Sequence, residues 1–125
     1  MDNKGFVDWL HRYGRAWEAY DLEALPALFA EDARYEWTPF DAPLEGIEAI
    51  RSAWDRAICN QRDVRFTARS LSIEGDAGIA HWTARYIRPA TGSEVRLDGV
   101  LLAEFGPDRR CRLFREWWHS TEGRS

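Results

Sequence analysis

The chain has 125 residues, 45% of them hydrophobic and 30% charged, with a formal net charge of −4. That length fits a single domain spanning residues 1–125, with enough apolar material for a core of its own. The acidic balance argues against nucleic acid as a partner, and no apolar run approaches the ~20 residues of a membrane span, so a cytoplasmic protein is the expectation.

Phe6, Leu10, Tyr13, Trp17 and Tyr20 recur at the alternating spacing of four and three that marks one face of an α-helix. Gly14 interrupts this helix at a cost of about 1 kcal/mol against Ala, and its missing side chain leaves room for another group to come close. Asp21 is placed to cap a second short helix, with Glu23 in its first turn where the helix dipole favours a negative charge. Leu22, Leu25, Leu28 and Phe29 form its apolar set. Pro26 lies past the first turn of that helix and should remove a backbone hydrogen bond or kink it. Ala33 to Thr38 alternates as a strand, with Tyr35 and Trp37 on one face and Arg34 and Glu36 on the other. A loop with Pro39 and Pro43 runs to Gly46, and Ile47, Ile50, Trp54 and Ile58 predict a third helix.

From Asn60 the apolar period changes to two. Val64 to Ile73, Ala77 to Ile87, Glu94 to Phe105 and Cys111 to Ser120 read as four strands. Their connections are Glu74-Gly75-Asp76, Pro89 to Ser93 and Gly106 to Arg110. Connections this short imply consecutive antiparallel hairpins. The order predicts an α+β fold, a curved antiparallel sheet with three helices on its concave face.

Cys59 and Cys111 are the only cysteines. With no Cys-x-x-Cys pair and with His11, His81 and His119 scattered, the sequence indicates no metal site and predicts free thiols in a reducing compartment. No phosphate loop or Ser/His/Asp order points to a cofactor or a catalytic triad. Seven Trp, four Tyr and six Phe exceed what a plain core needs, and a large aromatic-lined cavity or an interface would use them.

The element order, with Phe29-Ala30-Glu31-Asp32-Ala33-Arg34-Tyr35, Gly46-Ile47-Glu48-Ala49-Ile50 and Phe114-Arg115-Glu116-Trp117-Trp118, resembles the nuclear-transport-factor-2-like superfamily. Its SnoaL-like and ketosteroid-isomerase-like branch is the most similar. The resemblance implies a cone-shaped fold around a pocket, which hosts isomerases, dehydratases, cyclases, epoxide hydrolases and non-catalytic binders. In the steroid isomerases a Tyr of the first helix donates to the developing oxyanion, and that position falls on Tyr13. Their general base, at the end of the first strand, falls on Trp37, and a second acid donor falls on Leu101. Neither Trp37 nor Leu101 can take the corresponding role. The resemblance also implies the register of the last strands, placing Leu97, Gly99, Leu101, Ala103, Phe114, Glu116 and Trp118 inward and Arg96, Asp98, Leu102, Glu104, Arg115, Trp117 and His119 outward. A slip of one residue would reverse every assignment. On the middle strand the preferred inward set is Ala80, Trp82, Ala84 and Tyr86.

Glu116 and Tyr13 are the candidate catalytic residues. An inward Glu116 among aromatic rings would have a raised pKa and could serve as a general acid or base; the alternative is a Glu paired with an Arg at the cavity mouth. Tyr13 is either an oxyanion-type donor or a core Tyr bonded to a neighbour. Tyr35, Trp37, Trp54, Trp82, Leu101, Phe114 and Trp118 are the expected ligand contacts. His81 and Asp98 could form an acid–base pair, but a cross-strand polar pair on the outer face is the preferred reading. The expected partner is a small apolar or aromatic ligand, and Trp117 on the outer face predicts a homodimer. Three functions remain open: a cofactor-free isomerase, dehydratase or cyclase, a ligand-binding protein without turnover, and an assembly module.

Overall fold

The computed structural model describes residues 1–124. Helix α1 (Asn3–Glu18) starts where the Asp2 side chain accepts a hydrogen bond from the Gly5 amide at 2.7 Å, satisfying one of the free donors of the first turn. Phe6, Leu10 and Tyr13 are buried as the spacing predicts, and Trp9 joins them. The helix ends before Tyr20. That residue takes a left-handed backbone conformation (φ 53°) and turns outward to hydrogen bond Asp55, so the apolar stripe stops at the half-buried Trp17.

The second helical segment is a 3-10 turn over Leu22–Ala24 followed by a single α turn, α2 (Leu25–Leu28). Asp21 makes no side-chain cap. Pro26 falls in the first turn of α2, where an amide hydrogen would have no partner within the helix, so the proline ring neither kinks nor breaks it.

Strand β1 (Phe29–Glu36) starts earlier than Ala33 and stops just short of Trp37. A two-residue strand, β2 (Leu44–Glu45), folds back on it. Gly46, at φ 90°, then turns the chain into α3 (Ile47–Ile58), whose buried face is Ile50, Ala53, Trp54 and Ile58. Four long strands follow: β3 (Arg62–Glu74), β4 (Ala77–Ile87), β5 (Ser93–Phe105) and β6 (Cys111–Arg124). They pair as consecutive antiparallel hairpins.

The six strands make one curved, unclosed sheet in the order β2-β1-β6-β5-β4-β3. The sheet is mixed, because β1 lies parallel to β6, with Tyr35 opposite Phe114. The hairpin argument covers only strands joined by short connections, and β1 is separated from β6 by α3 and four strands. Burial on β5 and β6 follows the expected register. Leu101, Ala103, Phe114 and Glu116 are buried, while Arg96, Asp98, Trp117 and His119 are exposed. On β4 the alternation likewise buries Ala80, Trp82, Ala84 and Tyr86.

The core between helices and sheet is a continuous stack of rings. Phe114 stacks on both Tyr13 (centroids 5.3 Å apart, 24° between planes) and Tyr35 (4.6 Å, 23°), and Trp9 stacks on Tyr13 at 5.3 Å while also lying 6.1 Å from Phe114. Each such pair adds about 0.5–1.5 kcal/mol beyond the area it buries. Gly14 packs directly on the Phe66 ring of β3, with no room for a Cβ. The glycine trades helix propensity for close contact between α1 and the sheet.

Candidate active site

Four elements bring the site together. Helix α1 supplies Tyr13 and Trp17, β1 leads to Tyr35 and Trp37, α3 presents Trp54 and Ile58, and β6 carries Glu116. With Ala57 and Gln61 these side chains line an interior cavity of about 40 Å³. It is smaller than the aromatic count suggests, because most rings are spent on packing against one another. Trp17 and Ile58 stand one helical turn beyond Tyr13 and Trp54, so the i, i+4 rule places them at the same wall. Gln61 has no comparable signal in the sequence. Its side-chain oxygen accepts from Trp17 Nε1 at 2.7 Å and fixes that indole at the edge of the cavity.

Among the described residues Glu116 is the only charged one that is buried, at 6% exposure. No described residue hydrogen bonds its carboxyl. Burial alone pushes its pKa up to about 8, so at neutral pH the group is mostly a neutral acid. The Tyr13 and Tyr35 hydroxyls meet at 3.2 Å, and either can be the donor. Burial raises both phenols well above their ordinary value, and the charge of Glu116 raises them further. The hydrogen bond from Tyr35 works the other way on Tyr13. Both therefore remain protonated donors across the working pH range. The Trp54 indole is close enough to Tyr35 to ease its ionisation, yet its buried Nε1 makes no hydrogen bond of good geometry. The cavity thus holds one acid, two phenols, one spare N–H and the Gln61 amide within an otherwise apolar wall. Such a set can give a proton to a bound molecule and recover it, with hydroxyls ready for a developing negative charge.

The other expected contacts fall outside this cavity. Leu101 is fully buried and sits directly across the strand pair from Glu116. Phe114 is fully buried against the two tyrosines. Trp82 stacks on Phe66 at 6.0 Å and meets Trp17 edge-on at 6.1 Å, its Nε1 buried without a partner. Trp118 shares the inward face of β6 but lies at the rim, 38% exposed, donating to the Trp37 carbonyl at 3.1 Å. It pins the end of β1 and leaves the cavity wall to Trp37. His81 and Asp98 pair at 2.8 Å on the outer face, both partly exposed and remote from the cavity. Among the described residues no group of three His, Cys, Asp or Glu side chains could hold a metal ion.

A family model described as a SnoaL-like domain matches residues 10–113 of this sequence. The chain belongs to the SnoaL-like family. No protein among those of curated function matches the sequence. Several solved structures share the fold of this SnoaL-like chain over nearly its full length. RV0760c from Mycobacterium tuberculosis superposes with a TM-score of 0.85 at 16% identity, covering 98% of this chain and 99% of that one. A computationally designed binder of 17-OHP gives 0.83 at 19% identity, over 95% and 98% of the two chains. A protein of ketosteroid-isomerase-like fold from Catenulispora acidiphila, in complex with trimethylamine, gives 0.76 at 17% identity, over 87% and 83%. At these identities the likeness establishes a shared fold and nothing finer about activity. No helix among the described residues of the SnoaL-like chain is long and apolar enough to cross a membrane.

Proposed function

We propose that this SnoaL-like chain binds a small apolar or aromatic molecule between its helices and sheet and moves a proton on it without a cofactor. Glu116 is the acid and base, and the Tyr13–Tyr35 hydroxyl pair donates to the oxygen on which charge develops. The observation that carries this reading is a buried carboxylic acid with no hydrogen-bond partner, facing the same cavity as two phenols. Burial raises the pKa of this acid, and groups so perturbed concentrate at functional sites. The designed binder of 17-OHP and the Catenulispora protein, which is in complex with trimethylamine, lend support to a small organic ligand. Steroid isomerisation is not the proposed reaction, because Trp37 and Leu101 stand where that chemistry needs an acid–base group and a donor.

The test is deuterium incorporation at the α-carbon of a panel of small cyclic ketones and enones in D₂O, followed by NMR. Wild type should exceed the buffer rate, and Glu116→Gln should lose about 10²–10⁴-fold of that excess. Binding across the panel with no exchange in wild type would favour the second reading, a ligand-binding protein without turnover. The small cavity, which leaves little room for a reacting molecule and its movement, speaks for that alternative.

The proposal extends to assembly. The outer sheet face carries Trp117, 40% exposed, with the Arg115 guanidinium 5.0 Å from the ring centre. Burying a side chain of this size is worth about 1.5–3 kcal/mol, and a two-fold pair of copies is the simplest closed arrangement that does so. Sedimentation at micromolar concentration should show a dimer that Trp117→Ala weakens at least about tenfold, an effect of that size. Trp118→Ala should free the Trp37 carbonyl, change ligand binding and leave assembly nearly intact. A monomeric wild type, or a dimer indifferent to Trp117→Ala, would sink the idea.

A further inference from the structure

We infer that the outer face of the sheet carries a second site, separate from the interior cavity, for an oxyanion of two or more charges: a phosphate, sulfate or diphosphate group. The inference does not depend on Glu116 or on the proposed proton transfer. Its basis is the strand register. Arg65 of β3 stands opposite Arg85 of β4, Arg85 opposite Arg96 of β5, and Arg96 opposite Thr121 of β6. Three exposed arginines therefore share one cross-strand row. Like charges set directly opposite one another destabilise a sheet.

The counter-charge in place falls short of this row. Glu94 serves two of the three, its carboxylate lying 3.2 Å from Arg85 Nη1 and 3.4 Å from Arg96 Nε. Among the described residues Arg65 makes no ion pair and no side-chain hydrogen bond. By contrast, Arg88 and Arg112 each face a carboxylate of their own, Glu122 and Glu104. Asp98 is the one carboxylate among the described residues that line the groove over the row. It is held by His81 at 2.8 Å, and His81 stands on the far side of Asp98 from the arginines. Two positive charges without a carboxylate select a dianion over a monoanion.

The next row adds hydrogen-bond donors. Thr67 and Thr83 face each other across the same two strands, with their hydroxyls 2.5 Å apart. One proton lies between the two oxygens, so the second hydroxyl proton is free for a guest. Strand spacing sets Arg65, Arg85, Thr67 and Thr83 at the corners of a frame about 5 Å by 7 Å. A tetrahedral oxyanion fits such a frame and takes paired hydrogen bonds from a guanidinium. The groove above both rows has a volume of about 580 Å³ and reaches His119 and Thr121 on β6. That lies within the roughly 300–1,000 Å³ of small-molecule sites and leaves room for the molecule that carries the anion. Trp117 stands two rows away, opposite Val100, so the site and the apolar patch are separate parts of one face.

Arginine Nε–Hε signals in ¹H–¹⁵N spectra test this at pH 6.5 and low salt, where surface charges are least screened. The probes are sulfate, pyrophosphate, ribose 5-phosphate and acetate. The signals of Arg65, Arg85 and Arg96 should shift together and saturate, and that of Arg112 should stay in place. Sulfate and pyrophosphate should bind at least about tenfold tighter than acetate. Arg65→Gln should weaken pyrophosphate binding at least about tenfold, yet melt no lower than wild type because it removes a like-charge contact. Arg65→Lys, which keeps the charge without the planar fork, should fall between the two. Arg112→Gln, an equal loss of charge outside the groove, should leave affinity within about twofold. Ribose 5-phosphate binding tighter than sulfate supports the site as one for organic phosphate esters; the reverse order supports it as one for the free inorganic anion. Equal, unsaturated shifts of all surface arginines, or equal losses in Arg65→Gln and Arg112→Gln, would mean an adventitious ion only and overturn the inference. Binding that appears only in Trp117→Ala would assign the groove to the contact between copies and overturn it as well. Each of these results leaves the reading of Glu116 untouched.

Discussion

Urea unfolding of the wild-type chain should become easier as the pH rises from about 4.5 to about 8, and Glu116→Gln should lose that dependence. In the unfolded chain Glu116 titrates near 4.5, and in the folded protein near 8. Between those values the folded state holds a proton that the unfolded state has released, so raising the pH favours unfolding. The stability contributed by the neutral acid is fully present below about 4.5 and gone above about 8. At about 1.4 kcal/mol per pH unit, the window removes on the order of 5 kcal/mol. That is a large share of the 5–15 kcal/mol typical of a folded domain. Glutamine keeps the shape and cannot ionise, so above pH 8 the variant should be the more stable protein. Below pH 5 the two should be nearly alike. The measurement is the difference between the two unfolding free energies at pH 5, 6.5 and 8.5, which cancels the histidines and surface carboxylates common to both. Parallel profiles would mean that the carboxyl is hydrated in the folded protein.

Gly99→Ala should be the most damaging addition of a single methyl group to the sheet. A Cβ at this position meets the Trp117 carbonyl oxygen of the adjoining strand, and lies 2.8 Å from the Trp118 Cβ. Backbone cannot rotate out of the way as a side chain can, so β5 and β6 must separate where they pair Gly99 with Trp118. The expected loss is about 3 kcal/mol, the upper end of the usual overpacking range, or a fall of about 10 °C in the melting midpoint for a chain of this size. Gly14 offers the contrast. There the obstacle is the Phe66 ring, which can swing aside, so Gly14→Ala should cost less. The strain at Gly99 lies one inward position from Leu101 and Glu116, and ligand binding should suffer with stability. A variant that melts like wild type would show that the strand pair is looser than its register implies.

The parts of the fold legible in the sequence are those governed by local rules. Val64 onward alternates with a period of two between short turns, and the structure pairs those strands as successive hairpins. The inward placement of Glu116 came from the family resemblance, whose hairpin length the stretch from Phe105 to Cys111 matches, and the pleat carries that register along the strand. Tyr13 and Trp54 were recoverable from helical spacing. What the sequence hid depends on distant neighbours. The parallel pairing of β1 with β6 has no turn to announce it. Pro26 is harmless only because the preceding turn is 3-10 and restarts the helix just before it. Trp82, Phe114 and Leu101 face the interior as expected, yet rings already in contact leave no space beside them. Periodicity reports which face a residue occupies and carries no information on how tightly that face is filled.

The parallel neighbours Tyr35 and Phe114 also set an order of events in folding. Strands β3 to β6 can zip together through loops of a few residues, each closed at small entropic cost. Strand β1 has no such route, since its partner is the last strand of the sheet. Contacts so far apart along the chain form slowly. On a ribosome the helices and β1 emerge first and wait with their aromatic faces bare until β6 has been made. The cavity around Glu116 is therefore among the last features to exist, and a nascent chain stalled before residue 116 presents its ring-rich surface to chaperones instead of to a ligand.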